Sequence, residues 1–545
     1  MIFIDIKFSY VRKYWFFITS YARLIANRRN KKLNNEKNIK TIANSIGDLC
    51  ERNKVVLSVL FFFWSLFALT NNGWDSSEGS YGAYLLAENI VKHGDLGSNI
   101  PLSYLFNIAP NGKYYLVHEI GNAAFMLPTA FINITIEKKF SNFISLENIS
   151  LVKKFVLSFQ SSVYSALSAT FFFAILRIGF SQAIYSSFLA TLGMVTTTYF
   201  WAYSRNLYDG VLCTTLLTAS FYFIIKYRQK TNLFYLFVCF ICLGLGLITR
   251  MSMILALVAT LFYLISTSRR SLRVKECSIA MISILPFLLW QAWYNNLRTG
   301  IFYKSPVQIC CPENNALDGN LIVGIGGLLF SPGKSFFIYV PVVILSIVLF
   351  RKFYKEYQKE AIYVAVLTTL WFLLHGKLRS WYGAAGLGPR HFLTIVPILW
   401  LPTAVNLNYI LKTAKLRIFA ILLAGFGLIL SMAAIVTSWP FRLVYAESQQ
   451  RVSDNIFIWG VWNSQAIDLL QGAWENIRRI LYSTPIIKFP SGASETYFYT
   501  NSTINIWPNA LIHAGISWYL VSFLVILLLS LIFWSLGNIL KAESQ

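Results

Sequence analysis

The sequence predicts an all-α polytopic membrane protein with about 12 transmembrane helices and an external first loop carrying juxtamembrane helices. Three observations predict it. Of 545 residues, 56% are hydrophobic, 17% aromatic and only 13% charged, the balance of a chain whose solvent is mostly lipid. The apolar residues gather in runs near 55–70, 155–176, 181–201, 210–225, 232–249, 251–267, 277–293, 335–350, 361–374, 391–410, 418–437 and 514–535. Between the runs lie short basic clusters: "KYRQK" (226–230), "SRRSLRVK" (268–275), "RKFYKEYQK" (351–359) and "KTAKLR" (412–417). Basic loops between spans follow the positive-inside pattern. The net charge of +24 is therefore a topological signal and a contact with anionic lipid, and a nucleic-acid partner is excluded.

From the N-terminus, residues 1–54 form a basic cytoplasmic segment, with twelve Lys or Arg against four acids. No cleavable signal peptide is evident, because the first long apolar run begins only near residue 55. The aromatic stretch "YWFFITSYARLIA" (14–26) is too short to span and carries Arg23, which suits the inner membrane surface. A core of spans covers 55–440, with an external loop at 71–152. Residues 441–513 form an external loop or small subdomain whose composition favours neither helix nor strand. Residues 514–545 hold the last span and a tail.

Segment 120–136, "IGNAAFMLPTAFINITI", decides the topology. If it does not cross, all four basic clusters fall inside together with residues 1–54; if it crosses, all four fall outside. Gly121, Asn122, Pro128 and Asn133 within seventeen residues suit a re-entrant or interfacial helix. The long non-membrane stretches 71–152, 294–334 and 438–513 then face outward, and the chemistry is expected there. The seven cysteines show no metal spacing. Cys239 and Cys242 sit in an apolar run as packing residues, and the adjacent Cys310–Cys311 in an external loop read as two free thiols, with a strained vicinal disulfide as the alternative.

Five polar constellations stand at external span ends. "NNGWDSSEGSYGAYLLAENIVKHGDL" (71–96) puts Asp75 and Glu78 just after the first apolar run. At helical spacing both share one face, as catalytic acids or, for Asp75, as a helix cap. "NGKYYLVHEIGNAAFMLP" (111–128) follows an Asn-Gly turn signal with Lys113 and Tyr115 as positioning candidates and His118–Glu119 as an acid/base couple, a weak metal-ligand pair or a polar anchor. "AYSRNLYDG" (202–210) carries Arg205 and Asp209. "NNLRTGIFYKSP" (295–306) precedes "GIGGLLFSPGKSFFIYVP" (324–341), whose Lys334 lacks the glycine spacing of a nucleotide phosphate loop. "HGKLRSWYGAAGLGPRH" (375–391) sets Lys377 and Arg390 among glycines, a composition able to hold a phosphate.

In order and outward placement, these five motifs resemble the GT-C superfamily of polytopic glycosyltransferases, in particular its bacterial branch of protein O-mannosyltransferases and the lipid A aminoarabinose transferase. The likeness covers about residues 55–440. It implies that Asp75 is the general base on an acceptor hydroxyl and Asp209 the second-loop acid, with Glu78 beside Asp75. It implies further that Arg390, with Lys377 and Arg205, holds the phosphate of a polyprenyl-phosphate-sugar donor. The acceptor would be a glycan, lipid or protein hydroxyl at the outer face of a bacterial inner membrane. A divalent metal is left open, since Asp75, Glu78 and His118 could supply ligands or none. This chain separates its two first-loop acids by two serines where the family often pairs them, and it lacks the soluble external domain of the oligosaccharyltransferase branch. The competing classes are a transporter or flippase of lipid-linked sugars, for which no internal repeat is visible, and an O-antigen ligase or polymerase.

Overall fold

The computed structural model describes residues 54–73, 78–142, 145–268, 271, 273–310, 316–384, 386–440, 442, 458–482, 503–513 and 515–544. Asp75, the 14–26 stretch and Cys311 lie outside them, as do the side chains of Glu78 and Cys310. The described chain is a helical bundle with one small antiparallel hairpin, Phe106–Ile108 against Tyr114–Leu116, an addition to the all-α expectation.

Helices stand at all twelve expected positions, but among the described residues five are long and apolar enough to cross a membrane: Asn148–Gly179, Asp209–Lys230, Arg273–Thr299, Ala414–Val436 and Trp518–Glu543. The others are shorter, such as Lys54–Leu69, Ile184–Thr196 and Leu233–Leu247, and several apolar runs break into two pieces. The breaks have local causes. Pro341 stands between Phe336–Tyr339 and Val343–Glu356, where a missing N–H interrupts the helical ladder.

The axis of the bundle is Asp209–Lys230, buried along most of its length between Leu146–Gly179 and Leu233–Leu247. Thr214 and Thr218 turn their hydroxyls back onto their own helix, to Gly210 O (2.7 Å) and Thr214 O (2.7 Å), while Thr215 also reaches Tyr164 O (2.7 Å) of Leu146–Gly179. Close packing beside it requires glycine: a Cβ on Gly244 would stand 2.1 Å from the Phe287 ring of Arg273–Thr299.

This helix also sets the ends of the molecule. Its 22 residues span about 33 Å at 1.5 Å each, close to a bilayer's hydrocarbon thickness. At the Lys230 end, Arg228 pairs with Glu360, and Tyr227 bonds Glu276. Lys352 lies 5.3 Å from the Tyr409 ring, three residues before Lys412. All four basic clusters therefore gather at one end, and Asp209 lies at the other.

Segment 120–136 folds as the helix Ile120–Phe140, which is not among the five spans. It lies against Glu78–His93, with Asn133 fully buried and donating to Tyr84 Oη (2.9 Å) and Lys153 O (3.0 Å). Its start is locked onto the turn after Leu233–Leu247. Gly121 N donates to Ile248 O (2.6 Å), and a Cβ on Gly121 would meet Thr249 Oγ1 at 2.2 Å.

Within 441–513 the described residues are largely helical, Gln465–Tyr482 and Trp507–His513. Gln465–Tyr482 packs on Ala414–Val436 and is held by Arg442, which pairs with Asp468 (2.6 Å) and Glu475 (2.7 Å). A composition neutral between helix and strand thus yields helix once one face finds a partner.

Candidate active site

At the end of the bundle opposite the basic clusters, three chain segments bring their charges together. Tyr208 and Asp209 begin the axial helix. Arg250 ends the turn after Leu233–Leu247 and stands 3.9 Å from Asp209. Arg390 and His391 open the 3-10 turn Arg390–Ile395. The guanidinium of Arg250 lies 5.4 Å from the Tyr208 ring and that of Arg390 5.8 Å from it. Among the described residues two cations share one ring here with one carboxylate beside them, an arrangement with surplus positive charge and hence an affinity for anions. Tyr208, Asp209, Arg250, Arg390 and His391 are all half-buried, so the cluster keeps access from outside.

The protonation of His391 follows from its partner. Arg250 Nη2 lies 2.7 Å from His391 Nδ1. Arginine only donates, so Nδ1 accepts and is unprotonated. Beneath it His375 stacks at 5.1 Å, with its own Nδ1 2.9 Å from Trp371 O.

The loop ahead of Arg390 is shaped to wrap it. A Cβ on Gly386 would stand 2.2 Å from Arg390 Cδ, and one on Gly383, which sits at φ +76°, would stand 2.9 Å from Cγ. Buried Lys334 donates to Ala384 O (3.0 Å) and Gly386 O (2.5 Å). Gln465 donates to Gly386 O (3.2 Å) and accepts from Gly388 N (2.8 Å). Tyr203 and Tyr199 bond Leu387 O (3.0 Å) and Pro389 O (3.2 Å). The Lys334 motif that fails as a phosphate loop is thus a staple for this one. Among the described residues, Arg390 Nε is buried and makes no hydrogen bond.

The first loop closes the other side. His118 stands over the start of Glu78–His93: a Cβ on Gly79 would lie 3.2 Å from its Nε2. The ring keeps an exposed edge, yet protein crowds it on the remaining sides. Burial pushes the His118 pKa below that of a free histidine, with Arg250 and Arg390 adding to the effect and Asp209 and Glu119 opposing it. Below about pH 6.5 the unfolded chain binds a proton that folded His118 refuses, so stability falls with pH there. Acidifying from about pH 7 to about pH 5 is expected to lower the melting temperature of the wild type more than that of His118→Gln.

Other expected site residues are placed elsewhere. Glu119 is nearly buried and paired with Arg298 (2.9 Å), which also donates to His118 O (2.8 Å) and Leu116 O (3.1 Å). It therefore anchors the strand that presents His118. Lys113 pairs with Asp95, and Tyr115 Oη accepts from Asn111 (2.9 Å) while its ring covers Gly97; both shape the hairpin. Arg205 is buried, turned away from the cleft, and donates to Ile435 O, Asn505 O and Asn505 Oδ1 (2.8 Å). Lys377 is exposed near Asp318 and Arg379, at the end of Gln358–Lys377. Among the described residues no group of three His, Cys, Asp or Glu side chains gathers to hold a metal.

Arg250, His391, Arg298 and Lys334 are the residues that sequence reasoning missed. Arg250 had a signal, a lone charge between two apolar runs. Arg298 lay within a quoted motif but carried no distinguishing pattern. It makes a strong prediction: Arg298→Met takes the cationic partner from Glu119, which keeps only Gln291 as a donor, and a donor from the carbonyls of Leu116, Val117 and His118, and is expected to cost about 3–5 kcal/mol, read as a large fall in melting temperature.

One recess of about 90 Å³ lies on the other side of Glu78–His93, and one of about 10 Å³ lies beside Arg205. Neither of these two includes Asp209; the charges around Tyr208 are what single out the site.

Comparison with known proteins bears on the middle of this arrangement. Residues 146–293 match the family model of dolichyl-phosphate-mannose-protein mannosyltransferases. The match takes in about a quarter of the chain, including Arg205, Tyr208, Asp209 and Arg250, and stops short of the first-loop acids and Arg390. It supports a glycosyltransferase of the mannosyltransferase type in a multi-pass membrane protein. No curated protein matches the chain.

Proposed function

We propose that the protein transfers a sugar, of the mannose class, from a polyprenyl-phosphate donor to a hydroxyl acceptor at the outer face of the membrane. One observation carries the reading: among the described residues, Arg250 and Arg390 flank Tyr208 beside the carboxylate of Asp209, at the end of the axial helix away from the four basic clusters between the apolar runs. A lipid-linked donor offers its anomeric carbon at the membrane surface, where this cluster has access from outside.

Arg390, with its buried and unbonded Nε, receives the donor phosphate, and Arg250 adds charge while holding Asp209. As the bond between the anomeric carbon and the phosphate oxygen breaks, its electron pair stays on the phosphate, and these fixed cations stabilise it. The acceptor oxygen bonds to the same carbon from the opposite side, and its proton passes to Asp75 as general base. Glu78 begins the helix beside His118 and orients the acceptor. Asp209 keeps Arg250 in place. The acceptor is a glycan, lipid or protein hydroxyl, and the membrane is a bacterial inner membrane with the cleft on its periplasmic side.

A single base opposite a phosphate leaving group gives inversion. The test is the anomeric configuration of the product formed from a β-linked polyprenyl-phosphate mannose. The α-linked product is expected, and retained configuration would overturn the one-base mechanism.

A further inference from the structure

Behind the charges at Asp209 stands a layer of rings that sugar transfer, as described above, does not yet use. Arg250 ends in a guanidinium on a flexible stem, and a cation that meets a developing anion has to be fixed before that anion forms. Asp209 does not give it a direction. The carboxylate lies 3.9 Å from Arg250 Nε, beyond hydrogen-bond reach, so it holds the cation near without aiming it. The Tyr208 ring, 5.4 Å from the guanidinium carbon, offers a face rather than a directed acceptor. The directed contact is Arg250 Nη2 to His391 Nδ1, at 2.7 Å.

A neutral imidazole suits this task for an electrostatic reason. A carboxylate in its place would orient Arg250 and also cancel its charge. Nδ1 accepts the hydrogen bond and leaves the positive charge for an anion. His391 is held from behind by the helix Gln358–Lys377. Trp371 and His375, one turn apart on that helix, stack at 5.2 Å, and His375 continues the stack to His391 at 5.1 Å with the two imidazoles 24° from parallel. Trp371 Nε1 donates to His391 O (2.9 Å), and His375 Nδ1 donates to Trp371 O (2.9 Å). Stack and hydrogen bonds together hold the imidazole with Nδ1 toward Arg250. His391 also follows Arg390 directly in the chain, so the backbone that presents one cation supplies the acceptor that aims the other.

We propose that His391 is a positioning residue: its Nδ1 aims Arg250 at the donor phosphate and sets the spacing of Arg250 from Arg390. The identity of the anion rests on the sugar-transfer reading of the site; the link from His391 to Arg250 does not.

The test measures binding of undecaprenyl phosphate, a polyprenyl phosphate without sugar, to the full-length protein in detergent, with mannose transfer from the corresponding sugar donor read separately. His391→Phe keeps a ring in the stack and removes the acceptor. His391→Asn gives up the ring and puts an amide oxygen near the place of Nδ1, while His391→Gln puts it near Nε2, away from Arg250. A positioning role predicts that His391→Phe and His391→Gln weaken binding by about tenfold or more, as loss of a hydrogen bond to a charged group would, and that His391→Asn recovers most of it. A packing role predicts the reverse, with His391→Phe near the wild type and His391→Asn the weaker, and that order would overturn the proposal. In an Arg250→Met background His391→Phe is expected to cost little more, because the interaction it removes is already gone; an equal loss in both backgrounds would overturn the link. If the melting temperature shows that His391→Phe does not fold, His391→Gln and His391→Asn decide, and equal binding by these two would overturn the proposal. Weakened phosphate binding by His391→Phe, with no mannose transferred by the wild type, would keep the positioning role and remove the sugar-transfer reading. Transfer by the wild type, with binding and turnover unchanged in His391→Phe, would do the opposite.

Discussion

Replacing Asp75 by Asn is expected to lower sugar turnover by about 10²–10⁴-fold, the usual contribution of a positioned general base, with donor binding retained. The substitution keeps the size and most of the hydrogen bonding of the side chain and removes only its ability to take a proton. If Asp75 instead capped Glu78–His93, Asn would serve nearly as well, and turnover would stay within a small factor of wild type. That outcome would move the base to Glu78 or Asp209. Asp209 is tied to Arg250 at 3.9 Å, so it is the less available of the two.

The second large effect is expected at Arg390. Arg390→Met keeps an unbranched apolar stem against Gly383 and Gly386, where the loop closes on the side chain, and deletes the charge. Loss of a preorganised partner for a developing anion costs about 10²–10³-fold in turnover. Arg390→Lys should recover only part of it, since a point charge lacks the planar fork of the guanidinium. Donor binding and turnover should both fall for Arg390→Met, in contrast with Asp75→Asn. A variant that folds, binds donor normally and turns over at the wild-type rate would remove Arg390 from the site.

Much of the architecture was legible because lipid is a demanding solvent. Apolar runs and basic loops placed helices at all twelve expected positions and gathered the four basic clusters at one end. Length was harder to read. Hydropathy reports what a segment can tolerate, while Pro341 and the turn at Ile248–Arg250 decide where the helix stops, which is why five helices among the described residues reach full spanning length. The Phe106–Leu116 hairpin was hidden because three-residue strands leave no periodicity to count.

The site was legible by motif but not by role. Asp209, His118 and Arg390 were quoted from the sequence and converge. Arg205 sits in the same motif as Asp209, only four residues away, yet it is turned into the protein to satisfy carbonyls at Ile435 and Asn505. No local pattern distinguishes an arginine that meets substrate from one that meets backbone, because the difference lies in segments more than two hundred residues distant. Lys113 and Tyr115 went to the hairpin for the same reason. Arg250 was passed over because an arginine between two spans looks like topology until a carboxylate is found opposite it.

The most direct measurement is transfer of labelled mannose by membranes containing the wild-type protein, offered either a polyprenyl-phosphate donor or a nucleotide-sugar donor, with movement of the donor across the bilayer followed in parallel. Label passing to a hydroxyl acceptor from the polyprenyl-phosphate donor alone is the predicted result. Label that crosses the membrane still attached to its lipid, with no transfer to any acceptor, would contradict the account and make the cluster around Asp209 part of a transport path.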